Sequence, residues 1–191
     1  ASIGQSNPLA SASNKLTVTV VPNFDLTPGS LLTVFGLTGS RSADNSSLLV
    51  TSDGNTFIDS AKWVNTNGSL TLTVSSVGLS RDMSYIVSFV LRNGAVNQSS
   101  PSVSVKTTVA SDMMFDGEGI AVEIPKATGD AVGVSGGAAP MLVHVPRFSV
   151  SVVQSNPLAS ASNLLTVTLS PDCDVAGGSL VTLSGLTGSL T

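Results

Sequence analysis

The sequence predicts an all-β protein, an antiparallel β-sandwich in tandem repeats of about 149 residues, and three observations carry that reading. Every clear periodic segment alternates apolar and polar residues with period two, and none keeps a 3.6-residue period long enough for a helix. Turn residues punctuate these segments at short intervals, as in sandwiches built from many short strands. Finally, a block of 36 residues recurs once, without a gap, at an offset of 149.

The elements follow in order. Residues 15–21 place Leu16, Val18 and Val20 on one face and Lys15, Thr17 and Thr19 on the other. Residues 10–14, just before them, suit a single helical turn. Residues 30–37 form the next strand, after the turn Thr27-Pro28-Gly29. Residues 46–51 lead into the turn Asp53-Gly54-Asn55. Residues 69–75 follow Asn67-Gly68, residues 85–92 precede Asn93-Gly94, and residues 102–109 close the series. The expected core is Leu16, Val18, Val20, Leu32, Val34, Trp63, Leu70, Leu72, Tyr85, Val87 and Phe89.

The repeat tests these assignments from inside the chain. Residues 5–40 and 154–189 are identical at 25 of 36 positions. Leu16, Val18 and Val20 become Leu165, Val167 and Leu169, so the alternation persists. Lys15 becomes Leu164, which marks an edge or solvent-facing site. Phe35 becomes Ser184 while Leu32 and Val34 become Val181 and Leu183, so the core face carries the latter pair. Phe24 becomes Cys173, which places the single cysteine in a tolerant apolar site and predicts a buried, inert thiol. A period of this length exceeds the 20–50 residues of solenoids and holds a whole domain. Three regions result: a sandwich at 1–110, an extended connector with short strands at 111–150 that packs on its neighbour, and the start of an incomplete repeat at 151–191. Residues 120–124 and 141–145 are the connector's candidate strands, the second bracketed by Pro140 and Pro146 as an edge strand tolerates. The strands of the incomplete copy are expected to be completed by a following covalent repeat or by a neighbouring molecule through strand addition, head to tail.

Composition narrows the function classes. Charged residues make up 10% of the chain, against about a quarter in an ordinary soluble domain, so the surface is neutral and polar. A net charge of -4 with scattered Lys and Arg leaves no basic stripe for nucleic acid. No apolar run reaches the ~18 residues of a membrane span. One cysteine excludes an internal disulfide framework.

The stretch Val77-Gly78-Leu79-Ser80-Arg81-Asp82-Met83-Ser84-Tyr85-Ile86-Val87-Ser88-Phe89 resembles the approach to the penultimate strand of immunoglobulin-like and fibronectin-type domains. That resemblance implies a tyrosine corner, with the Tyr85 hydroxyl donated to an upstream backbone group, and a core position for Trp63. The whole repeat, with its SNPLASASN, LTVT and GLTGS frame and the VLRN segment, is similar to tandem units of very large surface proteins of algae and other protists. It is also broadly similar to adhesin-type immunoglobulin-like repeats. The resemblance implies an extracellular or cell-surface address and carries over no catalytic residue.

Chemistry-bearing residues are sparse. His144 is the sole histidine, so any Ser-His-Asp or Cys-His arrangement would rest on it, and no nucleophile elbow, HExxH, Walker or GxGxxG frame is present. The chain is therefore expected not to be an enzyme and to need no cofactor. The weak exception is calcium: Asp53, Asn55 and Asp59, and separately Asp112, Asp116 and Glu118, put hard oxygen ligands on loops, without EF-hand spacing. Asp-Gly is also an ordinary hairpin turn. Asn45, Asn67 and Asn97 head N-x-[ST] sequons, glycosylation acceptors in a eukaryotic secretory route. The leading expectation is a structural protein forming a fibre, stalk or coat from end-to-end beads. The alternative is an adhesion module gripping a glycan or protein through its loops, against which stands an aromatic content of 4%.

Overall fold

The computed structural model describes residues 1–110 and 119–188. It contains two compact units, Ala1–Val145 and Pro146–Thr191.

The first unit is built on β1 (Ser2–Gln5), β2 (Ser13–Val20), β3 (Leu31–Phe35), β4 (Asn45–Ser52), β5 (Ser60–Val64), β6 (Ser69–Thr73), β7 (Tyr85–Arg92), β8 (Ser104–Thr108) and the two-residue β9 (Val122–Glu123). All pair antiparallel in one continuous ladder, β1-β2-β7-β4-β5-β6-β3-β8-β9. The ladder turns a corner at β4. Its first half pairs with β5 and its second half, Val50 to Ser52, with β7, and a register break falls between Asn45 and Leu48. A bulged strand bends and twists there, which lets one strand serve two layers.

Period-two alternation is the physical cause of the core. On β2 the residues Asn14, Leu16, Val18 and Val20 are buried while Ser13 and Lys15 are exposed. On β7 the buried residues are Val87, Phe89 and Leu91. From the other layer come Leu32 and Val34, Ala61 and Trp63, and Leu70 and Leu72, all in the same buried cluster. Phe35 lies only half buried, as its replacement by Ser184 predicts. Of the expected core residues only Tyr85 is partly exposed, packed against the cluster's margin. Trp63 is 1% exposed and donates its indole N–H to the Ser42 carbonyl at 3.2 Å, so its one polar atom is satisfied.

The pairing map identifies an immunoglobulin-like Greek key. In that fold the second strand pairs with the fifth and the third with the sixth, across two layers. Here β3 pairs with β6 and β4 with β7, the same two pairings. The outer strands are exchanged. The neighbour of β7 is β2, which precedes this set in the chain, and the neighbour of β3 is β8, which follows it.

Tyr85 forms the expected corner with the polarity reversed: the Ser80 backbone N–H donates to the Tyr85 hydroxyl at 2.7 Å. No helical turn precedes β2. Residues 10 and 11 form a tight turn in which Ser11 takes φ 59°, held by Ser11 N–H donating to the Gly94 carbonyl and Ala12 N–H to the Leu9 carbonyl. A tie to a distant strand here outweighs local helical preference. β1 and β5 were not expected from the sequence, although on β5 the buried Ala61 and Trp63 alternate with the exposed Ser60 and Lys62.

The compact unit ends at Val145, whereas the sequence placed the end of the sandwich near residue 110. Ile124, Val134, Met141 and Val143 are buried, and Ile124 and Met141 belong to the core cluster. Segment 125–127 runs along β1, through Ile3 N–H to the Pro125 carbonyl at 3.0 Å and Ala127 N–H to the Ile3 carbonyl at 2.8 Å. Val143 exchanges both backbone bonds with Gln98 at 2.9 Å, and His144 bridges to Leu9. The segment is thus part of the fold. Its apolar residues are spaced irregularly because they pack as isolated bridges and not as a strand face.

The second unit holds β10 (Phe148–Gln154) and β11 (Leu165–Pro171), an antiparallel hairpin. It reproduces β1–β2 pair for pair: Val152 faces Val167 as Ile3 faces Val18, and Gln154 faces Leu165 as Gln5 faces Leu16.

Candidate functional site

The sandwich closes over a polar cluster that the sequence reading did not single out. Gln5, Asn14 and Asn93 are buried, with Asn14 and Asn93 at 0% exposure. Asn14 sits on the inward face of β2, in register with the apolar Leu16, and Asn93 follows the last residue of β7. The Asn14 Nδ2 group donates to Gln5 Oε1 at 2.7 Å and to Asn93 Oδ1 at 2.9 Å. Asn14 Oδ1 accepts from the Asn7 N–H at 3.2 Å, and Asn93 Nδ2 donates to the Asn7 and Leu9 carbonyls at 2.8 and 2.9 Å. Gln5 completes the cluster. Its Oε1 accepts from the Met141 N–H at 2.7 Å and its Nε2 donates to the Gly137 and Leu142 carbonyls, both at 2.9 Å. Three uncharged amides thus tie β1, β2, β7 and segment 137–142 together, with no titratable group involved. An unsatisfied buried amide is costly, so each partner specifies the others.

In the second unit the local half of this cluster is already made. Asn163 Nδ2 donates to Gln154 Oε1 at 2.9 Å, Asn163 Oδ1 accepts from the Asn156 N–H at 3.1 Å, and Leu158 N–H donates to Asn156 Oδ1 at 3.0 Å. Ser160 takes φ 57°, matching Ser11 at 59°. The surface around it is open: Leu165 is 41% exposed where Leu16 is 0%, and Val152 is 50% exposed where Ile3 is 1%. The sequence signal for both clusters was the identity of QSNPLASASN at residues 5–14 and 154–163, which reads as a repeat before it reads as a hydrogen-bonding unit.

Asp53, Asn55 and Asp59 are exposed on the connection from β4 to β5. There the Asp53 carbonyl caps a 3-10 turn by accepting from Thr56, and the Asn55 carbonyl accepts from the Ser75 hydroxyl. Asp112, Asp116 and Glu118 lie outside the described residues. Among the described residues no group of three or more His, Cys, Asp or Glu side chains is placed to hold a metal. Asn45, Asn67 and Asn97 are exposed. Asn45 and Asn67 use their side-chain oxygens locally, accepting from Ser47 N–H and the Ser69 hydroxyl, whereas Asn97 accepts from the distant Val145 N–H. His144 is half buried.

Cys173 departs from the expectation of a buried thiol. Phe24, its counterpart, is 40% exposed on the loop after β2, and Cys173 itself is half buried. An apolar residue at that position does not mark a core site. Partial burial, and then the nearby charges of Asp172 and Asp174, push its thiol above the ordinary range.

No protein-family model and no curated protein matches the chain, so the resemblance to giant surface repeats stands on the residues quoted for it. Two solved structures align. One, from the RrgA Jo.In complex, is 11% identical over 64% of this chain and 75% of its own, with a TM-score of 0.35. The other, a Nocardia farcinica protein described as having an immunoglobulin-like fold, is 16% identical over 75% of this chain and 98% of its own, also with a TM-score of 0.35. The fold assignment above rests on the strand pairing of this chain. No helix among the described residues is long and apolar enough to cross a membrane.

Proposed function

We propose that this chain is a non-enzymatic structural module of an extracellular or cell-surface protein, in which repeats of one immunoglobulin-like sandwich join end to end into a fibre, stalk or coat. The observation that carries the reading is the duplicated hairpin. The register of residues 2–20, the sequence from residue 5, the local hydrogen bonds of the amide cluster and the left-handed serine recur 149 residues later. Repetition of a whole domain start favours an architecture whose reach scales with copy number. Charged residues at 10% of the chain suit a module surrounded by its own kind, where self-repulsion is not needed to keep molecules apart. Neighbouring repeats, or identical subunits, are then the partners, arranged head to tail.

An adhesive role through the loops has less support. The single tryptophan is consumed by the core and the single tyrosine hydroxyl by Ser80, which leaves neither as an open platform for a sugar ring. The test is immunogold labelling of intact cells with antibodies raised against the first unit. Label on external fibres or a coat is the expected result. Label that appears only after permeabilisation would overturn the proposal.

A further inference from the structure

We propose that the outward face of β2 and β7, at the end nearest the amide cluster, binds an acidic polysaccharide through its sulfate or carboxylate groups. Lys15, Arg41 and Arg92 supply the charge, and the hydroxyls of Ser11, Ser13 and Ser42 surround it. The site belongs to the first unit alone, lies on a strand face and not on loops, and stands whether or not the protein sits at a cell surface.

Alternation turns Ser13 and Lys15 of β2 and Val90 and Arg92 of β7 outward, with Ser13 opposite Arg92 and Lys15 opposite Val90. Lys15 and Arg92 are thus diagonal neighbours, within reach of long side chains. Segment 40–42 runs past Arg92: Arg41 N–H donates to the Arg92 carbonyl and Arg92 N–H to the Ser42 hydroxyl, both at 2.8 Å. Both guanidinium groups then turn to Ser11. Arg92 Nε donates to its carbonyl at 3.1 Å, and Arg41 Nη1 to its hydroxyl at 3.4 Å. A shallow depression lined by Ser11, Ser13, Ser42, Val90, Leu91 and Arg92 opens beside them. A guanidinium holds five N–H donors in a planar fork that matches two oxygens of an oxyanion. Each fork here spends one donor, on a neutral oxygen.

No carboxylate neutralises this group. Three of the chain's eight Lys and Arg residues gather here, in a chain of net charge -4. Asp25, Asp53 and Asp82 follow β2, follow β4 and precede β7, so they lie at the far end of the same layer. That is roughly 20 Å away at about 3.3 Å per strand residue, beyond the ~8 Å screening length at physiological salt. Asp44, nearest in the chain, accepts from Asn65 N–H at 2.7 Å. A structural role for the cations is tested inside the chain itself. At the 149-residue offset Ser11 and Ser13 recur as Ser160 and Ser162, whereas Lys15 becomes Leu164 and Arg41 becomes Leu190. Ser160 still takes φ 57°, against 59° at Ser11, so the turn forms without the charges. The fold does not require them, and a ligand does. An open face suits a chain lying across it. Single-stranded nucleic acid needs aromatic side chains to stack its bases, and the outward residues of β2 and β7 from Ser13 to Thr19 and from Ile86 to Arg92 are Ser, Lys, Thr, Ile, Val and Arg. Val90, 50% exposed, offers an apolar spot to the C–H face of a sugar ring.

The experiment titrates dextran sulfate, polygalacturonate, neutral dextran and single-stranded poly(dT) separately into the full 191-residue chain at low ionic strength, by calorimetry. Binding of dextran sulfate, polygalacturonate or both, and none of neutral dextran, is the expected result; which of the two binds identifies sulfate ester or uronate as the source of the oxyanion. Affinity should fall as salt is added. Lys15→Gln with Arg41→Gln should weaken binding about tenfold, the scale of one lost charge-assisted hydrogen bond. Lys15→Leu with Arg41→Leu, the residues of the second copy, should do the same. Lys62→Gln with Arg81→Gln removes equal charge elsewhere and should change it by less than about twofold. Three outcomes would overturn the proposal: no binding of either acidic polysaccharide, an equal loss from the Lys62/Arg81 pair, or poly(dT) binding as tightly as the polysaccharides.

Discussion

Asn14 and Asn163 are the same residue in the same local hydrogen-bonded turn, yet one is 0% exposed and the other is exposed. Asn14→Ala strips the donor from Asn93 and one of the two donors from Gln5 inside the sandwich, and the expected cost is about 1–3 kcal/mol, the scale of one orphaned buried acceptor. Asn163→Ala leaves groups that water reaches, and the expected change is within about 0.5 kcal/mol. Urea denaturation followed by circular dichroism compares the two, and equal midpoints would refute the distinction. At Cys173, the raised pKa means less thiolate at neutral pH, so alkylation at pH 7 should be slower than for an unstructured cysteine although the side chain is reachable. Asp172→Asn with Asp174→Asn should speed it, and added salt should narrow the gap by screening. A rate unmoved by either change would remove the electrostatic part of the explanation. The inward faces of β2, β3, β6 and β7 were readable from sequence because alternation exposes them directly. The amide cluster was not, because an asparagine on an apolar face has no meaning until Asn93, distant in the chain, is placed beside it.

Among the elements, the duplicated block separates what is local from what is not. Gly29, Gly36 and Gly39 have φ of 83°, 91° and 85°, and their counterparts Gly178, Gly185 and Gly188 have 87°, 85° and 86°. Turn conformation is therefore set by the residues themselves. Strand formation is not. Residues 31–35 form β3 between β6 and β8, whereas residues 180–184, with the same alternation, form no strand in a unit that holds no counterpart of either partner. Sequence periodicity reports which face would be buried, and pairing decides whether a strand exists. The Asn67-Gly68 turn is a point where both requirements meet. Gly68 has φ 60°, its carbonyl accepts from Leu37 N–H at 2.9 Å, and a Cβ there would come within 2.5 Å of the Leu37 carbonyl carbon. Gly68→Ala should cost upwards of about 2 kcal/mol, left-handed strain plus a backbone clash. Thermal melting is the measurement, and a variant as stable as the parent would mean that the loop relaxes freely.

At the scale of the whole molecule, the largest difference between sequence and structure concerns where the sandwich ends. Composition shifts at residue 111 towards glycine and irregular spacing, which reads as a connector, yet the unit extends to Val145. Removing residues 111–145 would take Ile124 and Met141 from the core cluster, and with them the buried Val143. It would also strip the edge of β1 of its bonds to Pro125 and Ala127, and leave Gln5 without Met141, Gly137 and Leu142. Each large apolar side chain lost from a core costs about 2–5 kcal/mol, and an orphaned buried amide adds about 1–3. A domain has only about 5–15 kcal/mol in total, so a fragment of residues 1–110 is expected to be largely unfolded at room temperature. A fragment of residues 1–145 should unfold in one cooperative transition, because its core and amide cluster are intact. Expressing both and following near-ultraviolet circular dichroism of Trp63 against urea decides the matter. A cooperative transition in the shorter fragment at the midpoint of the longer one would show that segment 119–145 decorates the sandwich and does not build it.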